Sequence, residues 1–279
     1  AGFLTAPAAS AQPARPAEER PNIVFIMSDD HAYQAISAYG SELSKLAPTP
    51  NIDRIARGGA TFLNSYVTNS LCGPSRGTML TGLFSHMHGY TRNGHHFDNR
   101  RWVWPRALGK AGYQTALFGK WHLGRSPEGI GFDEWKVLND QGEYYNPDII
   151  TPAGTSRVDG YATDIITDQS LDWLKNRRDP ARPFALLIHH KAPHRAWEPH
   201  PKHKAMFANR VIPEPPTLRD DYATRTDALK ENRTFGEIHG GLAELETLID
   251  EYYLAAGVDR WARGEEKASD HAPTWVELA

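Results

Sequence analysis

Three short apolar runs, each breaking off into polar or ionisable side chains, limit most strongly what this chain can fold into. Residues 22–27 (Asn-Ile-Val-Phe-Ile-Met) run into Ser28, Asp29, Asp30 and His31. Residues 113–118 run into Gly119, Lys120, Trp121 and His122, and residues 183–188 into His189, His190, Lys191 and His194. Continuous apolar runs of this length mark strands buried on both faces, as in a parallel sheet covered by helices. Open α/β sheets place functional groups beyond the carboxyl ends of such strands, so each cluster sits where chemistry is expected.

The intervening segments supply the helices. Residues 49–57 open on Thr-Pro and meet Gly58-Gly59 as a stop; residues 75–80 and 102–111 follow. Residues 162–175 carry Ala162, Ile166, Trp173 and Leu174 at helical spacing, an amphipathic helix with a core face. Residues 61–67, rich in β-branched and aromatic types, are expected to form a strand leading into Cys72. Residues 141–147 are aromatic and turn-rich, hence a loop. Pro213 to Pro216 is a stiff connector, Leu242, Leu245, Ile249 and Tyr252 suit one more helix, and no strand is expected beyond Gly264. A chain of 279 residues suits one large α/β domain or two modest ones.

Each cluster has an ordinary use as well as a chemical one. Asp29-Asp30 suits a solvated turn, or hard oxygen ligands for Ca²⁺ or Mg²⁺. Lys120 and His122 are two apart, so an extended backbone would direct both to one face as an oxyanion site; surface placement is the alternative. The group from His189 to Arg195 suits an anion pocket, with His189 and His190 themselves structural. Cys72, the single cysteine, is either inert packing or a residue with work to do at the start of a helix, where free N–H groups favour anions. One cysteine excludes an internal disulfide framework. A formal charge of −3 gives no electrostatic reason to expect nucleic acid or an anionic membrane, so an anionic substrate needs local Arg, Lys and His.

The first twenty residues combine a small apolar stretch, an Ala9-Ser10-Ala11 cleavage-like signal and a polar Pro/Ala/Glu tail. They are expected to be a signal-peptide remnant and leader, which points to a secreted or periplasmic protein. No run approaches the ~20 apolar residues that span a bilayer.

Cys72-Gly73-Pro74-Ser75-Arg76 with Leu80-Thr81-Gly82 resembles the signature of the type I, formylglycine-dependent sulfatases. The resemblance extends in the family's order over residues 21–30, 49–55, 112–124 and 192–197. Residues 31–40, 141–147 and 213–222 look most like the carbohydrate sulfatases, including N-acetylglucosamine-6-sulfatases. The resemblance implies an alkaline-phosphatase-like α/β/α sandwich with a mixed, largely parallel sheet. The N-terminal portion of the catalytic domain would occupy residues 21–220, and a polar, helical tail would follow over 221–279. It also implies a sulfated carbohydrate as substrate and a formylglycine-generating enzyme as maturation partner. Cys72 would become formylglycine, whose hydrated aldehyde attacks sulfur through one oxygen and releases the sugar alcohol; loss of the proton from the other hydroxyl then expels sulfate and restores the aldehyde. Asp29, Asp30 and the Cys72-derived oxygen would bind a divalent cation, Ca²⁺ before Mg²⁺. Arg76 would hold the nucleophile, Lys120 neutralise sulfate oxygens, His122 take the proton, and His194 contact or protonate the leaving oxygen. Family members also supply a later Asp-Asn pair and a second lysine. Neither stands here in a convincing context, and Ser269-Asp270-His271 is a chance likeness.

Overall fold

The three apolar runs form adjacent strands at the centre of one sheet. The computed structural model describes residues 20–213, residue 224 and residues 276–278. The strands are β1 (Ile23–Met27), β2 (Gln114–Lys120), β3 (Glu134–Leu138), β4 (Asp148–Thr151), β5 (Gly154–Arg157), β6 (Phe184–His189) and β7 (Val276–Leu278). They form a seven-stranded sheet in the order β5-β4-β3-β2-β6-β1-β7. The central four, β3-β2-β6-β1, are mutually parallel, and the flanking pairs are antiparallel.

Helices cover both faces, so the α/β expectation holds. They are α1 (Pro50–Gly58), α2 (Cys72–Thr81), the single turn α3 (Ser85–His88), α4 (Trp104–Lys110) and α5 (Ala162–Asp172), which continues into a wider turn over Trp173–Arg177. Strand alternation sorts the core into two layers. Leu117 and Leu187 point with Leu80 of α2, Val103 and Trp135 to one side; Ala116, Phe118 and Leu186 point with Ile166 of α5 and Trp173 to the other.

Several expectations are corrected. Residues 61–67 form no strand: Phe62, Leu63 and Tyr66 are exposed, and both edges of β1 are already taken by β6 and β7. β-Propensity without a partner strand yields irregular chain. A strand does exist beyond Gly264, because β7 satisfies the open hydrogen-bonding edge of β1. β1 is half-buried rather than covered on both faces, with Ile26 40% exposed. The leader over 1–19, the helix around Leu242 to Tyr252, the likeness at Ser269 to His271 and most of the proline-rich connector lie outside the described residues.

One glycine decides where β2 delivers its last residue. Gly119 has φ +107, and a Cβ there would stand 1.9 Å from His189 O on the paired strand. Only glycine permits this approach. Gly119→Ala is expected to cost at least about 3 kcal/mol of stability, read as a lowered urea midpoint with an unchanged denaturant slope.

Candidate active site

β1, β2 and β6 run parallel, so their carboxyl ends bring the three polar clusters together at one edge of the sheet. The ends are stitched by backbone bonds: His190 N–H donates to Met27 O at 2.8 Å, and Asp29 N–H donates to Ala192 O at 3.1 Å. α2 begins at Cys72, as its sequence placement requires. Gly73 N–H, near the start of that helix, donates to Asn93 Oδ1 at 2.9 Å. A Cβ on Gly73 would lie 2.3 Å from Tyr90 Cε1, so the buried Tyr90 ring takes the space of a side chain beside Cys72.

Asp29 is the hub. Its carboxylate accepts from Lys120 Nζ and lies 3.4 Å from Arg76 Nη2, with all three side chains buried. Burial alone would raise its carboxyl; the charges on Arg76 and Lys120 outweigh that and hold it well below the usual carboxylate range. Arg76 Nη1 donates to Lys120 O at 2.6 Å, and His189 Nδ1 lies 3.1 Å from the same carbonyl. Asp30 turns back on itself at φ +56, and its Oδ2 lies 3.6 Å from His194 Nε2. The other ring nitrogen, His194 Nδ1, donates to Arg195 O.

The premise that an extended backbone aligns Lys120 with His122 fails. β2 ends at Lys120, and His122 sits in the left-handed region at φ +53. The two side chains meet through Gln141 instead, which accepts from Lys120 Nζ at 2.5 Å and lies 3.2 Å from His122 Nε2. In the sequence Gln141 carries no role of its own, only a place in loop 141–147. Lys191, expected as one member of the His189 to Arg195 anion pocket, is buried, with Nζ 4.9 Å from the centre of the Tyr144 ring and 3.4 Å from the carbonyls of Gln141 and Arg195. Tyr144 OH donates to His194 O, so loop 141–147 also braces the His194 turn.

Burial pushes the Cys72 thiol up to about 11 and the His122 and His194 imidazoles down to about 4 and about 3, the Lys120 charge adding to both histidine shifts. Near neutral pH the site therefore presents a protonated thiol and two neutral imidazoles. Asp29, Cys72 and His194 each offer a ligand atom, all within 4.8 Å of one another and all buried. Asp30 adjoins this cluster through His194. The donor set fits one side of a divalent-cation site. Asp29 already has two cations, because Arg76 and Lys120 both face it, whereas Asp30, the other buried acid among the described residues, faces His194.

The family model described as Sulfatase matches residues 21–252. This chain belongs to the sulfatase family. It is 47% identical over 227 residues to an N-acetylglucosamine-6-O-sulfatase of Bacteroides thetaiotaomicron, which covers 80% of this chain and 40% of that protein. Against human N-acetylgalactosamine-6-sulfatase it is 37% identical over 136 residues, 43% of this chain and 26% of that one. Among solved structures, a protein in complex with its substrate D-glucosamine-2-N,6-O-disulfate superposes with a TM-score of 0.72 at 40% identity. That match covers 90% of this chain and 56% of the solved one. This sulfatase chain thus spans about half the length, or less, of the relatives it matches.

Proposed function

We propose that this chain carries the N-terminal catalytic portion of an exported sulfatase that removes sulfate from a sulfated sugar, Cys72 being the residue matured to formylglycine. The observation that carries the reading is the buried Cys72 Sγ at a helix N-terminus, clustered with Asp29 and His194. The relatives named for 6-sulfated amino sugars favour a 6-O-sulfated glucosamine unit as substrate. A relative described as a putative extracellular sulfatase, in Caenorhabditis elegans, supports export. Among the described residues no helix is long and apolar enough to cross a membrane.

A thiol pushed up to about 11 is a poor nucleophile near pH 7, which suits a side chain that acts only after oxidation. The formylglycine supplies a hydrated aldehyde as nucleophile. A divalent cation, Ca²⁺ in preference to Mg²⁺, would be held by Asp29, Asp30 and the oxygen at position 72, and would polarise a sulfate oxygen. Lys120 offers a preorganised positive charge to the sulfate. Arg76 braces Asp29 and the Lys120 carbonyl, so it fixes the anion-binding end of β2. His122, neutral near pH 7, can accept a proton at the nucleophile. His194, also neutral, is better suited to contact the leaving oxygen than to protonate it.

Sulfate release from glucosamine-6-O-sulfate by the full protein, co-expressed with a formylglycine-generating enzyme, tests the reading. Release that survives Cys72→Ala unchanged would sink it. Lys120→Met in the same assay is expected to lower kcat/KM by about 10²-fold or more.

The pairing of Asp29 with two buried cations favours a second reading, in which this chain alone is non-catalytic. On that reading Asp29, already paired with Lys120 and Arg76, and Asp30 together hold Ca²⁺ no more tightly than about 10⁻⁴ M, measured by calorimetric titration of the 279-residue chain. Tight 1:1 binding would count against it.

A further inference from the structure

Gln141 lies in the turn between β3 and β4, and its carboxamide bridges two groups of the site. Oε1 accepts from Lys120 Nζ at 2.5 Å, and Nε2 lies 3.2 Å from His122 Nε2. The turn is held firmly. Gly142 N–H donates to Asn139 O at 2.8 Å, and Asn139 N–H donates to Asp148 O at 3.0 Å. Gly142 has φ +70, with Leu138 filling the space a side chain would need.

Donor and acceptor capacity sets the protonation along this bridge. An ammonium can only donate, so the amide must turn its oxygen to Lys120 and its NH₂ to His122. An amide NH₂ can only donate, so the facing His122 Nε2 must carry the lone pair, and the single ring proton lies on Nδ1. Asp140 Oδ1, 3.5 Å from the same Nε2, favours the opposite tautomer, but its side chain is 77% exposed and the separation is longer than a hydrogen bond. Water competes for that carboxylate, whereas Gln141 is locked from both sides.

We infer that Gln141 is a positioning residue: held by Lys120, its amide fixes His122 as the tautomer that accepts at Nε2. A base would then be prepared by an amide rather than by a carboxylate, and in the resting site that amide covers the lone pair. An anionic sulfate competing with Oε1 for Lys120 loosens the cover when the base is needed. The inference rests on the proposed function for the use of His122, not for its tautomer.

The test is ¹⁵N NMR of the histidine-labelled chain near neutral pH, the His122 signals being identified by their absence in His122→Asn. A pyridine-type Nε2 and a pyrrole-type Nδ1 are expected. Gln141→Glu, of the same shape but only an acceptor, is expected to exchange the two types, and Gln141→Ala to give an averaged pair. In the matured full protein both variants are expected to lower kcat by about 10²-fold, with KM within about threefold. Unchanged thermal midpoints would show that the fold is kept. A native His122 protonated at Nε2, or a tautomer indifferent to Gln141→Glu, would overturn the inference. Absence of sulfate release from the native matured protein would remove the functional reading instead and leave the tautomer result standing.

Discussion

Cys72→Ser in the matured full protein is expected to lower turnover of a sulfated sugar by about 10⁴-fold or more. Serine nearly matches cysteine in volume and carries one hydroxyl at the start of α2, so the helix and the packing of Gly73 against Tyr90 should persist. That hydroxyl can displace the sugar alcohol once: its proton leaves with the alkoxide oxygen, and a new O–S bond forms as the old one breaks. No second hydroxyl remains to expel sulfate. Intact-mass measurement after incubation should therefore show one SO₃ added per chain, and Cys72→Ala should show none. Steady multiple turnovers by Cys72→Ser would refute the assignment of position 72.

Asp29→Asn is expected to destabilise the chain by about 3–5 kcal/mol, because it leaves Lys120 and Arg76 as buried cations without their carboxylate. The shape is conserved, so the loss reports charge and not packing. The urea midpoint should fall with little change in slope. Lys120→Met in the Asp29→Asn background should cost less than the sum of the two single changes, because neutralising the pair together removes an unpaired charge. The acid side gives a further check. The Asp29 carboxyl is depressed in the folded chain, so its contribution is complete above about pH 4, the ordinary range for Asp, and is lost as pH falls through the lowered value. A loss below about 1 kcal/mol for Asp29→Asn would mean that water reaches this site and screens it.

The elements with the strongest local signals were legible before any coordinates. β1, β2 and β6 appear within a residue or two of the apolar runs that announced them, and α5 starts at Ala162 as its spacing required. Those signals are strongest for β2 and β6, which sit at the sheet centre, where burial dominates. Residues 61–67 mark the converse: their composition favours a strand, yet pairing depends on a free neighbouring edge, which composition cannot report. β7 was missed for the same reason, being selected by the open edge of β1.

By itself, the sequence determined which groups are available: a lone cysteine at a helix start, an aspartate pair, Lys120 with His122, and His194, each just beyond an apolar run. The tertiary structure decided how they are joined. Parallel pairing of β1, β2 and β6 carries residues far apart in the chain to one edge, where Asp29 meets Lys120 and Arg76. The left-handed turn at His122 broke the simple alternation that linked it to Lys120, and a glutamine from loop 141–147 restored the link. Local periodicity fixes which way a side chain leaves its own element. Which side chain from elsewhere it meets depends on register and turn geometry, and these are settled only when the sheet is assembled.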